Sequence, residues 1–330
     1  MANISDVAKR AGVGVSTVSK VLNNYDNISE ETRKKVLKAV DELDYVPNAI
    51  ASALSSKQGR RVALIIFINN QRQAIDEINM QYLFGAFNKA SEHKLDLVTV
   101  FSSVIKDMDS IELERHLKSL RVQALVIYGL HKGQEAIMEL IDKQIFPTVI
   151  VDAPILGEKT SYVMVDHQKA QYEMTQFMCA QHDYVKSILY LAGRRDGFVT
   201  DLRLQGVVDA SIELGVDLNA QYANFSEKKA FELTKKYGEE ANIIIAASDL
   251  MAIGAVSALK QMDIFRPVCG FDGITLLGYI DYRIYSVKQD FYGLSQSAMD
   301  EVAHLLQGNP GRANIHDFEI TKIEYEDVIM

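Results

Sequence analysis

Residues 3–23, NISDVAKRAGVGVSTVSKVLN, decide how the beginning of the chain folds. Apolar side chains recur at helical spacing on both sides of Gly12, which predicts two short helices that each bury one face. Two helices that cross through a turn of three or four residues need a small residue at the crossing and a glycine in the turn, and Ala8 and Gly12 meet these needs. The stretch therefore predicts a helix-turn-helix unit.

The outward side chains of the second predicted helix are polar. Ser16, Thr17 and Lys20 lie near its N-terminus, where a recognition helix touches base edges, and hydroxyl and ammonium groups can hydrogen-bond to bases there. This pattern favours DNA recognition. The alternative from these residues alone is an ordinary helical hairpin with a solvated polar face.

A third helix follows, with its own start signal. Ser29 is the predicted N-cap, and Glu30 and Glu31 lie in the first turn, where the helix dipole favours negative charge. The apolar residues predicted to close a three-helix core are Val36, Leu37, Val40 and Leu43.

A short alanine-rich segment comes after this helix. Pro47 ends the third helix and Asn48 can cap a helix over residues 48–56. Such a short helix is marginal alone. The segment is therefore either a flexible linker or a helix that forms only with a partner.

Charge separates this beginning from the rest of the chain. Residues 1–61 hold ten Lys and Arg against seven Asp and Glu, a net charge of +3, and because the whole chain carries −9, the remainder carries −12. Only the beginning of the chain attracts phosphates. The length of 330 residues and the hydrophobic content of 48% leave room for a large globular domain after it.

Composition also sets expectations about location and cofactors. The N-terminus has no apolar signal-peptide region, and no stretch is long and apolar enough for a membrane span, so we expect a cytoplasmic protein without a membrane partner. Cys179 and Cys269 are isolated, which indicates reduced thiols and no metal site. No cofactor is expected.

From Arg61 onward, β-like apolar runs alternate with helical patterns, as is typical of parallel sheets covered by helices. The predicted strands are 62–68, 95–101, 124–128, 148–151, 187–191, 243–246, 268–271 and 286–288, and residues 317–330 are predicted to form a strand and a tail. The predicted helices are 78–92, 111–120, 135–143, 168–182, 202–214, 227–237, 250–262 and 294–306, and the last returns to the first half. Two successive sets of alternating strands and helices imply two similar lobes, with a ligand site at the carboxyl ends of the strands.

Residues 2–58 resemble the headpiece of the lactose/galactose repressor family of bacterial transcription regulators. The chain carries the motifs D-V-A-x-x-A-G-V-x-x-x-T-V-S-x-V-L-N, S-x-x-T-R-x-K-V and L-x-Y-x-P-N-x-x-A-x-x-L. One departure is Gly14, where the family usually has a serine cap, although glycine is also acceptable there. The DNA contacts that the resemblance implies, including a leucine wedge from a hinge helix in the minor groove, are Ile4, Ser16, Thr17, Ser19, Lys20, Asn23, Asn27, Ser29, Thr32, Asn48, Ala51 and Leu54.

The remainder resembles the effector domain of the same family, whose fold is that of the periplasmic sugar-binding proteins. Residues that match family motifs, such as R-x-x-G and G-[FY]-D-[DG], imply effector contacts at Asp152, Arg203, Phe225, Ser248, Asp249, Asp272, Gln289 and Phe291. Each has a structural alternative. Asp249 can instead cap the helix that follows it, Asp152 and Ser248 can serve strand-end turns, and Arg203 can form a surface ion pair.

The resemblance implies an all-α helix-turn-helix headpiece (1–46), a hinge helix and linker (47–60) and an α/β two-lobed domain for effector binding and dimerisation (61–330). It implies a homodimeric repressor of a carbohydrate-utilisation operon that binds a near-palindromic operator in double-stranded DNA and responds to a sugar or sugar phosphate. Regulation by a nucleoside or purine, or by a protein corepressor, stays open. The protein corepressor is less expected, because the segment from Asp300 to Leu306 lacks the arginine of the catabolite-control branch.

Other classes of protein fit the residues less well. The glycines of Gly12-Val-Gly-Val-Ser16 follow a helix and not a strand, which argues against a dinucleotide-binding loop. The seven histidines are predicted to be scattered on the surface without a catalytic partner, which argues against an enzyme. A stand-alone sugar-binding protein would have a signal peptide and no headpiece. The loop 69–79 departs from the family pattern, so it gives no guide to the effector.

Overall fold

The computed structural model describes residues 2–22, 28–45, 60–67, 77–182 and 184–325, and the chain divides into two compact units, Met1–Arg60 and Arg61–Met330. We call the first unit the headpiece and the second the body. The predicted hinge helix falls on residues outside the described ranges.

The headpiece contains three helices, α1 (Ile4–Ala11), α2 (Val15–Leu22) and α3 (Glu30–Glu42). Asn3 caps α1 by accepting hydrogen bonds from the backbone of Ser5 and Asp6, and the Asp6 side chain accepts from the backbone of Asn3 in return. Gly12 ends α1 at a φ of +68°, a left-handed conformation that glycine adopts without a steric penalty. This turn allows α2 to begin three residues later.

The headpiece core is built from small and branched side chains of all three helices. Val7, Val18 and Val36 are fully buried, and Val40 and Leu43 pack against them. The prediction for Leu37 was wrong, because this side chain is 46% exposed. Successive residues of a helix are rotated by about 100° about its axis. Leu37 therefore lies on the outer face of α3, although its neighbour Val36 is buried.

The body alternates strands and helices. Its strands are β1 (Arg60–Ile66), β2 (Leu95–Phe101), β3 (Val122–Tyr128), β4 (Thr148–Val151), β5 (Thr160–Val165), β6 (Ser187–Ala192), β7 (Asp217–Tyr222), β8 (Ile243–Ala246), β9 (Val268–Asp272), β10 (Tyr285–Lys288), β11 (Ala313–His316) and β12 (Glu319–Lys322). Its helices are α4 (Glu77–Glu92), α5 (Ser102–Ile105), α6 (Ser110–Ser119), α7 (Glu135–Asp142), α8 (His167–Ala180), α9 (Phe198–Leu214), α10 (Glu227–Tyr237), α11 (Asp249–Met262) and α12 (Phe291–Leu306), and a 3-10 helix spans Thr275–Tyr279.

Two six-stranded sheets give the body two lobes. The first lobe has the strand order β11-β5-β4-β3-β1-β2, and the second has β12-β10-β9-β8-β6-β7. β1, β3, β4, β5 and β11 pair in parallel in the first lobe, as do β7, β6, β8, β9 and β10 in the second, whereas β10 and β12 are antiparallel. Helices cover the sheets, so the central strands β1, β3, β6 and β8 are almost wholly apolar and buried.

The chain passes between the lobes three times. It leaves the first lobe at Asp166, returns through residues 289–290 to α12, and crosses again at residues 317–318. The predicted return of the last long helix to the first half is confirmed, because Leu294, Ala298 and Val302 pack in the core of the first lobe. The crossings place the carboxyl ends of both sheets on the same cleft.

Three strands escaped prediction. The structure has β5, β7 and β11 where the sequence analysis expected connecting segments. β7 and β11 lie at sheet edges and are only partly buried, so they lack a continuous apolar run. β5 is buried, but its apolar run is broken by Ser161 and Tyr162.

Candidate functional sites

The outer face of α2 is the candidate DNA-binding surface. Ser16 and Lys20 are exposed and Thr17 is partly exposed, while Val18 between them is buried in the headpiece core. Within the described part of the chain Lys20 makes no ion pair. The three polar residues therefore lie on the surface, as a base-contacting role requires.

One further residue of this surface was not predicted from the sequence. Val15 begins α2 and is 44% exposed, on the same surface as Ser16. An exposed methyl group at the start of a recognition helix can contact the methyl group of thymine. The signal was present in the sequence, because Val15 lies outside the stripe of Val18, Val21 and Leu22.

Four of the other predicted DNA contacts lie in the described part of the headpiece, and five lie outside the described residues. Ser29 caps α3 and its hydroxyl lies 2.9 Å from that of Thr32, so these hydroxyls are neighbours at one helix end. Ile4 is partly buried against the headpiece core, and Ser19 is partly exposed on α2. The remaining predicted contacts lie outside the described residues: Asn23, Asn27, Asn48, Ala51 and Leu54.

The body holds a cavity of about 180 Å³ between its lobes. It lies at the carboxyl ends of the strands, as expected for parallel α/β sheets. Seven of the eight predicted effector contacts line it: Asp152, Arg203, Phe225, Ser248, Asp272, Gln289 and Phe291.

Asp152 and Arg203 approach the cavity from different lobes. Asp152 follows β4 with a φ of +65°, and its Oδ2 accepts a hydrogen bond from the hydroxyl of Tyr82 at 2.8 Å. Arg203 on α9 is 4% exposed, donates through Nη1 to the carbonyl of Ala247, and stacks 3.6 Å from the ring centre of Phe271. Both charged groups are thus held by protein contacts at the floor of the cleft.

Asp272 and Gln289 form a second polar pair. Gln289 donates from Nε2 to Oδ1 of Asp272 at 3.2 Å, and the guanidinium of Arg203 lies 3.5 Å from the same oxygen. Burial raises the pKa of Asp272 to about 7, the nearby carboxylate of Asp152 adds to the rise, and Arg203 opposes it. Oε1 of Gln289 is buried and has no hydrogen-bond partner among the described residues. A buried acceptor of this kind is suited to a ligand hydroxyl.

Aromatic rings supply the apolar walls. Phe225, Phe291 and Phe67 line the cavity together with Tyr82. Phe225 has a φ of +55°, a left-handed conformation that is uncommon for a bulky residue. Backbone strain of this kind clusters at ligand sites, where it aims a side chain.

The structure corrects the prediction for Asp249. Its carboxylate is fully buried and does not line the cavity; it accepts hydrogen bonds from the backbone of Gly273 and Ile274 and from the hydroxyl of Ser286. Burial raises the pKa of Asp249 well above its usual value, and Asp272 adds to this rise. Asp249 thus holds the loop after β9. It does not cap α11 either, because Ser248 is the N-cap.

Two further residues of the site escaped the sequence analysis. Tyr82 lines the cavity and contacts Asp152. His167 was expected on the surface, but it is fully buried beside Asp152, with Nε2 3.0 Å from Oδ1. His167 was misplaced because β5 was not predicted, and without that strand the residues after it were not expected to enter the cleft. The apolar run V-M-V directly before Asp166 and His167 was the signal that could have indicated the strand.

Direct contacts between the lobes also cross the mouth of the cleft. Lys132 of the first lobe pairs with Asp201 of the second, and its backbone N–H donates to the carbonyl of Asp196 at 2.8 Å. On the other side, Oε2 of Glu77 accepts from the backbone N–H and the hydroxyl of Thr275. These contacts hold the lobes together in the conformation observed.

The described ranges lack two kinds of feature. They contain no group of three or more histidine, cysteine or acidic side chains arranged to hold a metal ion. They also contain no helix of the length and apolarity needed to span a membrane.

The headpiece and the body each match a known protein family. The family described as bacterial regulatory proteins, lacI family, matches residues 3–48, and the periplasmic binding protein domain matches residues 121–310, more than half of the chain. The HTH-type transcriptional regulator AscG of Escherichia coli (strain K12) is 28% identical over 93% of this chain and 93% of its own length.

Solved structures share the fold. A structure of the Lac repressor bound to ONPG in the repressed state superposes with a TM-score of 0.80 at 23% identity and covers 97% of this chain and 98% of that one. A complex of the transcriptional regulator CelR with cellobiose has a TM-score of 0.70 at 24% identity and covers 98% of this chain and 100% of that one. With its helix-turn-helix headpiece and two-lobed body, the chain belongs to the lacI family of bacterial regulatory proteins and is a DNA-binding transcriptional regulator.

Proposed function

We propose that this regulator is a homodimeric repressor of a carbohydrate-utilisation operon, controlled by an unphosphorylated sugar that binds between the lobes. The observation that carries the proposal is the set of acceptors in the cavity. Asp152, Asp272 and the unpartnered Oε1 of Gln289 all face a small space lined by aromatic rings. A sugar offers hydroxyl donors to such acceptors and an apolar ring face to the aromatic walls.

The size of the cavity supports a small ligand. A cavity of about 150 Å³ accommodates benzene. The 180 Å³ observed between the lobes therefore suits one six-membered ring with a few substituents. A cellobiose complex of CelR, a protein of the same fold, supports a sugar as the chemical class.

The charges around the cavity argue against a phosphate group on the ligand. Arg203 is already engaged by the carbonyl of Ala247 and by Asp272, and Arg194 donates from Nε and Nη2 to the carboxylate of Asp196. A phosphate would instead meet the ionised carboxylate of Asp152 and the carboxyl group of Asp272, which is partly ionised near pH 7. Like charges in a buried site repel strongly, so a neutral ligand is favoured.

The proposed dimer uses an apolar face of α4. Met80, Phe84 and Phe87 recur at helical spacing on this helix and are 47%, 58% and 50% exposed. Large apolar side chains gathered on one exposed face mark an interaction site. A second copy of the chain is the partner that a regulator with a near-palindromic operator requires.

The proposed mechanism has two states. Two headpieces of the dimer enter successive major grooves, with Leu54 as the proposed wedge in the minor groove, only when the lobes adopt one relative angle. The sugar binds one arrangement of the lobes more tightly and thereby shifts the equilibrium between the DNA-binding state and the released state.

A thermal-shift screen of the full chain tests the ligand class. The panel contains neutral sugars, sugar phosphates and nucleosides, because a ligand at 100 times its Kd adds about 2.7 kcal/mol to stability. We expect stabilisation by a neutral sugar and none by its phosphate. Stabilisation by a nucleoside alone would show that the effector is a nucleoside or purine and not a sugar. Stabilisation by a sugar phosphate alone would contradict the exclusion of a phosphate group by the acidic side chains of the cavity.

The operator is tested separately. Selection of binding sequences from a random duplex pool by the full chain should return a near-palindrome, and the sugar found in the screen should change the affinity for it. A selected sequence without two-fold symmetry would contradict the dimeric mode of binding. A lower operator affinity in the presence of the sugar would identify the sugar as an inducer, and a higher affinity would identify it as a corepressor.

A further inference from the structure

His167 connects the two lobes at the floor of the cavity. It is the first residue of α8, directly after the chain crosses at Asp166, and it is fully buried. Its Nε2 lies 3.0 Å from Oδ1 of Asp152 in the first lobe, and its Nδ1 lies 3.4 Å from Nε and Nη2 of Arg203 in the second. The imidazole therefore stands between the carboxylate and the guanidinium.

These contacts fix the state of the ring. A guanidinium has only donors, so Nδ1 of His167 must accept from Arg203 and cannot carry a proton. The single proton of the neutral ring then lies on Nε2 and is donated to Asp152. Burial and the positive charge of Arg203 both lower the pKa of His167, and Asp152 and Asp166 only partly oppose this.

The same arrangement sets the state of Asp152. Burial alone would raise its pKa, but the hydrogen bond from His167, the hydrogen bond from Tyr82 and the charge of Arg203 bring the pKa below its usual value. Asp152 thus stays ionised although its side chain is only 17% exposed. Two further residues lie near His167. The ring centre of Phe271 is 5.7 Å from that of the imidazole, and Asp272 lies on the far side of Arg203.

We propose that His167 is a positioning residue, which as the neutral Nε2–H form keeps Asp152 ionised and Arg203 oriented and so makes ligand-facing groups of the two lobes act as one unit. The proposal rests on the cavity being the effector site. Movement of one lobe against the other would break the contact between His167 and Asp152, so any ligand that engages Asp152 senses the lobe angle through this ring.

The test follows the two ionisable groups in the full chain by magic-angle-spinning NMR and needs no ligand. With ¹⁵N-histidine labelling, the signal that disappears in His167→Gln should show an unprotonated Nδ1 and a protonated Nε2 at pH 7. With ¹³C labelling of the aspartate carboxyl carbons, the Asp152 signal, assigned by Asp152→Asn, should titrate at least one pH unit higher in His167→Leu than in the wild type. His167→Gln, whose amide nitrogen takes the place of Nε2, can still donate to Asp152 and should titrate nearly as the wild type does.

His116→Asn, on α6, is the matched control and should change neither signal. A protonated Nδ1, an imidazolium at pH 7, or an Asp152 titration that is the same in His167→Leu and the wild type would overturn the proposal. These outcomes do not depend on the sugar screen. If a sugar binds, His167→Leu should also weaken its binding at least tenfold, whereas His167→Gln should bind nearly as the wild type does. Equal affinities in the two variants would remove the positioning role while leaving the sugar site in place.

Discussion

The ring of Phe225 packs directly against the α-carbon of Gly193, and no side chain fits between them. A β-carbon at Gly193 would overlap Cζ of Phe225 and Oγ1 of Thr200. Gly193 follows β6 and Phe225 lies beyond β7, so the contact joins two loops at the carboxyl end of one sheet. The glycine thereby sets the position of the aromatic wall.

Gly193→Ala should therefore weaken sugar binding. The added methyl group must displace Phe225 from the cavity, and we expect a loss of affinity of tenfold or more, which corresponds to about 1.4 kcal/mol. Isothermal titration with the sugar from the screen measures the loss. Operator binding without sugar should change little.

Gly215→Ala provides the control for this substitution. Gly215 also lies in the body and has a φ of +66°, so alanine is strained there, but nothing lies within 4 Å of the added carbon. It should lower stability and leave sugar affinity unchanged. Equal losses of affinity in both variants would show that general strain, and not Phe225, is responsible.

Asp272 makes stability depend on pH. Its pKa is raised from 3.8 to about 7, so the folded protein keeps a proton that the unfolded chain releases. The stability due to this proton is fully present below pH 3.8 and is lost as the pH rises through about 7. Asp272→Asn removes this loss, so the variant should gain about 2 kcal/mol relative to the wild type between pH 5 and pH 7.

Urea unfolding at pH 5, 6 and 7 measures this difference. Asp217→Asn is the control, because Asp217 is exposed on β7. The control should keep a constant difference from the wild type across the three pH values. A constant difference for Asp272→Asn as well would contradict a buried carboxyl group that titrates near neutrality.

Much of this site was predictable because parallel sheets bring strand ends together. Asp152, Ser248 and Asp272 each follow or end a buried strand, so the topology alone places them on one cleft. Asp249 shows the limit of that reasoning. It is adjacent to Ser248 in sequence, but α11 starts there and turns its carboxylate toward the loop after β9.

His167 and Tyr82 mark the other limit. His167 comes into the cleft only because β5 precedes it, and the polar residues in β5 conceal the strand from a pattern of apolar runs. Tyr82 reaches Asp152 from α4, seventy residues earlier in the chain. Such a contact depends on how a helix packs on the sheet, which a single sequence does not encode locally.

The surface of α2 should carry sequence discrimination. Ser16→Ala should reduce affinity for the selected operator about thirtyfold, because each of the two headpieces of the proposed dimer loses one hydrogen bond of about 1 kcal/mol. Binding to random duplex DNA should stay within twofold, because that binding depends on phosphate contacts. Fluorescence anisotropy with both duplexes measures the two affinities.

Ser5→Ala on α1 is the matched control, since Ser5 is also exposed in the headpiece. It should leave the ratio of specific to random binding unchanged. An unchanged ratio for Ser16→Ala too would remove Ser16 from the base contacts.

The exposed face of α4 should hold the dimer together. Phe84 is the most exposed of its three apolar residues, and Phe84→Lys would place a charge in the interface of each protomer near its two-fold mate. Because desolvating a charge without a partner is costly, we expect the dimer to dissociate at least a hundredfold more readily. Sedimentation velocity over a range of concentrations measures the change. Phe265→Lys is the control, because Phe265 is 70% exposed on the second lobe and outside α4. If the Phe265 variant dissociates and the Phe84 variant stays dimeric, the interface lies on the second lobe, and the apolar face of α4 serves another partner.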